Sequence, residues 1–168
     1  MSDRIKAVVG SIIFLFVAPG VVAGVIPWAI SAYRMETALL GFEPTRWLGG
    51  AMLFLGAVLL VETFSRFALQ GVGTPAPIAP TRTLVVTGSY RFVRNPMYVA
   101  VVSLVLGQAL WFGSVGTLIW GFVVWLTVHA FVLAYEEPTL RRTYGEQYDL
   151  YRANVRRWIP RLTPWSAA

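Results

Sequence analysis

The chain has no cysteine and a single histidine, His129. The first absence excludes disulfides, thiolate metal ligands and a cysteine nucleophile; the second excludes a histidine-rich metal centre, so no metal is expected. Charge is scarce too: 13% of the 168 residues are charged against 57% hydrophobic. That is too apolar for one soluble domain and too short for several. What these absences leave is a single integral-membrane domain over residues 1–168. The formal net charge is +6, but the basic residues flank apolar runs and do not cluster on a soluble module. They mark topology, and nucleic acid is not an expected partner.

Four apolar stretches are present, so the expected fold is all-α and polytopic, with four transmembrane helices at about 7–32, 47–69, 98–112 and 117–135. The first follows Arg4 and Lys6 as a signal sequence would, yet its length and the lack of a convincing cleavage site mark a retained helix. Pro19 and Pro27 each remove a backbone donor inside it, which predicts kinks near Ala18 to Gly20 and near the outer end. The third run reaches only about 22 Å, short of the roughly 30 Å of hydrocarbon. It must thin the bilayer, borrow neighbours or re-enter. Gly113-Ser114-Val115-Gly116 is a turn signal that favours a tight helical hairpin of the third and fourth spans, with the re-entrant form as the alternative. Of the 14 Lys and Arg residues only Arg34 and Arg46 fall in the first loop, so both termini are expected in the cytoplasm. The expected setting is a prokaryotic inner membrane.

Between the second and third spans, Gln70 to Met97 holds Pro75, Pro77, Pro80 and Pro96 and has no sustained helical period. Structureless loops of this length are uncommon unless functional or disordered, and Leu84-Val85-Val86 wants burial, so the segment reads as an ordered cap or pocket wall. It ends in Gly88-Ser89-Tyr90-Arg91-Phe92-Val93-Arg94-Asn95-Pro96-Met97-Tyr98, and Tyr135-Glu136-Glu137-Pro138 closes the fourth span. An even number of spans puts both at one level, where charge beside hydrocarbon marks a functional site. Pro138 is expected to break the span and begin an amphipathic tail helix over 138–155, with Leu140, Tyr144, Tyr148, Tyr151 and Val155 as its apolar stripe.

Blander readings compete. The arginines can be boundary markers, and Glu136 and Glu137 can cap the tail helix, with Glu137 pairing Arg141 four residues on. Glu62 pairs with Arg66 in the same way. His129 lies seven residues before Glu136, on the same helix face, and Gln108 is placed to meet it from the third span. A hydrogen-bonded structural histidine is the simpler reading. As a functional group His129 would be a neutral base, which an ammonium acceptor needs and a carboxylate does not.

The run Leu84 to Tyr90, then Arg94-Asn95-Pro96-Met97-Tyr98, Glu136-Glu137, Tyr144-Gly145, Tyr148, Tyr151 and Ile159-Pro160, resembles the isoprenylcysteine carboxyl methyltransferase and phospholipid methyltransferase superfamily over residues 84–160. The resemblance implies a membrane enzyme that uses S-adenosylmethionine at the cytoplasmic face and methylates a membrane lipid or prenylated small molecule entering from the bilayer. Arg94, Asn95, Pro96 and Tyr98 occupy the superfamily's Arg-His-Pro-x-Tyr positions, and Glu136 and Glu137 its acidic pair. Asn95 stands where the better-known eukaryotic members carry histidine, so a base role of that imidazole does not transfer.

On that footing, Leu84, Val85, Gly88, Tyr90, Asn95, Pro96, Tyr98, Gln108, Glu136 and Glu137 are the expected cofactor-binding residues. Arg94, Tyr148, Tyr151 and Arg157 are the expected substrate contacts, and Arg94, Glu137 and His129 the catalytic candidates. The residue types suit the chemistry. In-line methyl transfer from a sulfonium demands mainly alignment. A carboxylate at Glu136 or Glu137 accepts the cofactor's ammonium group, Arg94 forks onto a carboxylate or phosphate, and Leu84 and Val85 sandwich the adenine. The expected reaction is carboxyl O-methylation of isoprenylcysteine type, nearly tied with phospholipid N-methylation; a non-enzymatic protein whose basic loops bind lipid headgroups is the rival from another class.

Overall fold

The computed structural model describes residues 13–70 and 84–166. Residues 7–12 of the first run and 71–83 of the expected loop, Pro75, Pro77 and Pro80 among them, lie outside the described residues. Regular structure among the described residues is helical throughout: α1 (Ile13–Ser31), α2 (Pro44–Gln70), α3 (Pro96–Phe112), α4 (Val115–Tyr144) and α5 (Glu146–Asn154). Three of them, α1, α2 over Pro44–Arg66, and α4, are long and apolar enough to cross a membrane. The fourth apolar helix, α3, has 17 residues and spans about 26 Å.

The short helix is the central one. Ala100, Val101, Val105 and Ala109 of α3 are all buried, and α3 packs against α1, α2 and α4. Protein rather than lipid surrounds much of α3, so it need not match the hydrocarbon thickness. Its approach to α2 is set by small residues seven apart on each helix: Gly49 meets Gly107, and Gly56 meets Ala100. A Cβ on Gly49 would lie 2.7 Å from the Trp111 backbone nitrogen and 2.8 Å from the Gly107 carbonyl oxygen. The two backbones therefore touch, as small residues allow in membrane helices.

At the far end Gly113, with φ +78°, closes α3, and Ser114 caps α4 by accepting from the Thr117 N–H at 3.3 Å. Arg46 at the start of α2 donates to the Trp111 and Glu36 carbonyls, each at 2.6 Å, and so satisfies the end of α3.

Two of the three prolines inside spans follow a π turn by two residues: Val21–Val25 comes before Pro27, and Val132–Glu136 before Pro138. In α1 the proline lacks the N–H that would bond the Ala23 carbonyl, and the Ile26 N–H goes to Val21. The released carbonyls are satisfied from neighbouring helices. Gln108 Nε2 donates to Ala23 at 2.7 Å, and Trp120 Nε1 donates to Val22 at 2.9 Å. Pro138 does not break the last span as its type suggested. The π turn takes up the missing donor and the helix runs on to Tyr144. The break comes at Gly145, φ +52° and ψ −127°, a conformation open to glycine, so the expected tail helix 138–155 is the last two turns of α4 plus α5.

Candidate functional site

The described charges outside the first loop gather at the end of the bundle opposite Arg46. Leu84 to Val86, without regular structure, lead through an extended Thr87 into a 3₁₀ turn at Gly88–Arg91. Glu62 of α2 holds that turn by accepting from the Ser89 N–H at 3.3 Å and its hydroxyl at 2.6 Å, while Arg66 grips the same carboxylate. Asn95 then ends the loop and Pro96 opens α3, where a missing N–H costs nothing.

Arg94 is thereby delivered to the middle of the charge cluster. Its side chain is 8% exposed; Nη2 lies 3.2 Å from Glu137 Oε1 and Nη1 donates to the Tyr148 hydroxyl at 3.3 Å. Its Nε is buried without a partner. The π turn in α4 points Glu137, 10% exposed, at the same place. Arg157 clasps this carboxylate with both prongs, Nε to Oε1 at 2.6 Å and Nη2 to Oε2 at 2.9 Å. One turn along α3, the Tyr98 hydroxyl donates to Glu136 Oε2 at 3.0 Å.

One carboxylate thus serves two guanidinium groups, and the trio carries a net positive charge. Its hydrogen bonds to Glu137 hold the Arg157 guanidinium above its usual range. Burial pushes the Tyr148 phenol up to about 12, helped by the Glu137 charge and opposed by Arg94, so it stays protonated and able to donate. Burial likewise raises Tyr151, whose hydroxyl donates to the Tyr90 carbonyl at 2.6 Å.

A C-terminal strap closes over this end. It runs antiparallel to the loop before α3, with bonds from Arg94 N to the Arg156 carbonyl, Arg161 N to Phe92 and Trp165 N to Arg91, each at 2.9 Å. The Asn95 amide donates to the Arg157 carbonyl at 3.2 Å. Beneath the strap, Tyr148, Tyr151 and Val155 form a buried cluster with Leu84, Val86 and Trp165 against it. A cleft of about 680 Å³ opens beside it, lined among others by Arg66, Leu84, Val86, Gly88, Arg91, Tyr151 and Trp165.

Of the residues expected from sequence, Arg94, Asn95, Glu137, Tyr148 and Arg157 meet directly, with Tyr98 and Glu136 beside them. Leu84, Gly88 and Tyr151 line the cleft. Val85 does not; its neighbour Val86 lines the cleft instead. Gln108 does not meet His129, because the open carbonyl at Ala23 claims its amide. His129 stacks on Trp125 and accepts at Nδ1 from Trp158 Nε1 at 3.0 Å. Arg141 pairs with Asp149 at 3.1 Å, leaving Glu137 to the other two arginines. Sequence reasoning missed Ser89, Trp158 and Trp165, whose types carry no chemical signal before the fold assembles them.

The sequence profile of the phospholipid methyltransferase family matches residues 44–147, more than half of the chain. An uncharacterised protein of Haemophilus influenzae is 34% identical over 65 residues, which are 38% of this chain and all of the relative. No solved structure matches. With its three membrane-length apolar helices and that match, the chain belongs to the phospholipid methyltransferase family of integral-membrane methyltransferases.

Proposed function

We propose that this chain transfers a methyl group from S-adenosylmethionine to the carboxylate of an amphiphile of isoprenylcysteine type, at the cytoplasmic face of a four-span membrane domain with both termini inside. The observation that carries the proposal is the buried meeting of Arg94 and Glu137, 3.2 Å apart, from the segments before the third and after the fourth apolar runs. The residues fit the cofactor chemically. The orphaned Arg94 Nε suits an anionic partner, Glu136 suits an ammonium group, and the cleft at Leu84, Val86, Tyr151 and Trp165 has the size and apolar lining of a nucleoside site. S-adenosylmethionine, when bound, supplies an electrophilic methyl group on a sulfonium. The protein's part is to hold the acceptor in line and exclude water. Arg94 fixes the acceptor's anionic end, Tyr98 orients Glu136, and the strap covers the site.

The state of His129 supports a carboxylate acceptor. With Nδ1 accepting from Trp158, the ring's own proton belongs on Nε2, and neither nitrogen offers a free lone pair for proton removal. An ammonium acceptor must lose a proton before attack; a carboxylate need not. N-methylation of a phospholipid amine is the second reading, favoured by the family's own description. Labelled methyl transfer into lipid extracts separates them: label released as methanol by mild alkali indicates an ester, and alkali-stable label an N-methyl group. Melting of the detergent-purified protein should rise with S-adenosylmethionine, and an unmoved melting curve at saturation rejects both readings.

A further inference from the structure

The family match stops at residue 147, ten residues before Arg157, so the strap and its arginine are not part of the matched pattern. The strap nevertheless makes five bonds to residues 91–95: three between backbones, the Asn95 amide to Arg157, and the Arg91 Nε to the Trp165 carbonyl at 2.7 Å. Trp158 anchors it on His129 and Trp165 on Tyr151. So much anchoring fixes where Arg157 sits.

The distances around Glu137 define what Arg157 does there. It takes both oxygens, at 2.6 and 2.9 Å, while Arg94 reaches one of them at 3.2 Å and keeps its Nε without a partner. A carboxylate facing Arg94 alone would take the guanidinium's fork and neutralise it. With a second guanidinium holding that carboxylate, the trio keeps one unit of positive charge in a buried place, which favours an incoming anion.

We infer that Arg157 is a positioning residue that holds Glu137 away from Arg94's fork and so leaves Arg94 charged and open to the anionic end of an amphiphilic ligand. This rests on the reading of Arg94 as the acceptor's anchor, and it concerns binding rather than the transfer step. Two probes isolate it: N-acetyl-S-farnesylcysteine, a carboxylate amphiphile, and its methyl ester, which has the same tail without the charge.

Binding of each to the full chain in phosphatidylcholine vesicles is followed by quenching of the protein's tryptophan fluorescence. The wild type should prefer the acid over the ester by about tenfold, and Arg157→Gln should remove the preference by weakening the acid alone. Arg157→Lys, which keeps charge without the two-pronged fork, should keep part of it, about threefold, and serves if the glutamine variant does not fold. Equal binding of acid and ester by the wild type overturns the inference, as does an intact preference in both variants. Methyl transfer measured on the same samples stands apart: discrimination without transfer would reject the enzyme reading and leave this one in place.

Discussion

The two ends of the bundle are built by different physics. From the Arg46 end inward, glycines let the backbones of α2 and α3 touch, and side chains serve mainly to satisfy open carbonyls: Arg46 those of Trp111 and Glu36, Gln108 and Trp120 those near Pro27. At the Arg94 end, the apolar cluster of Tyr148, Tyr151 and Val155 packs beneath the strap, but the site itself is not held by shape. Contact there depends on charged and hydrogen-bonded side chains reaching one another across segments as distant as residues 62, 94, 137 and 157. The difference separates a scaffold, where bulk is the threat, from a site, where the loss of one partner strands another.

Bulk should therefore do the most damage. Gly49→Leu would drive a side chain into the backbone of α3 and should abolish a monodisperse detergent-solubilised species, whereas Gly24→Ala, where a Cβ meets nothing within 4 Å, should leave size exclusion and melting as they are. Equal behaviour of the two variants would show that the close approach at Gly49 does not hold the scaffold together.

Next in size is Glu137→Gln, which leaves Arg94 and Arg157 without their shared counter-charge. Because Arg157 is partly exposed, the loss should stay at about 3 kcal/mol, read as a melting point about 10 °C lower, with methyl transfer reduced about a hundredfold. A variant as active as wild type would mean that the ion cluster is ornament to the chemistry. Tyr98→Phe should cost about tenfold in affinity for S-adenosylhomocysteine with little change in melting, since it frees Glu136 without removing it; titration calorimetry checks this.

The smallest effect belongs to Tyr148→Phe, which loses one hydrogen bond to Arg94 and should cost about 1 kcal/mol. Its pH signature is specific. The folded phenol lies at about 12, above the ordinary value near about 10, so its neutral form stabilises the fold below the lower figure and that contribution fades as pH climbs toward the higher. Melting of the wild type should thus fall more steeply than that of the phenylalanine variant above about pH 10.

The apolar half was largely legible in the sequence because hydrophobic length is local information. The runs that became α1 to α4, the turn at Gly113 and Ser114, and the grouping of Arg94 with Glu137 all follow from it. What was not legible depends on register and pairing. Gly49 and Gly56, like Ala100 and Gly107, sit seven apart, but nothing in that spacing says which helix each pair meets. Pro138 reads as a stop because the π turn that absorbs it has no residue signature of its own. Glu137 has an arginine four residues on, yet Gly145 turns the chain and brings one twenty residues away instead.

The added residue in the Val132–Glu136 turn also governs how relatives should be compared. Each residue inserted in a helix rotates everything after it by about 100°. A homologue shorter by one position there would keep both glutamates in its sequence and turn them away from its counterparts of Arg94 and Arg157. In this chain the acids belong to the site by virtue of phase as well as identity, so a gapless alignment across 132–136 would credit a kindred protein with a centre that its own helix had turned away.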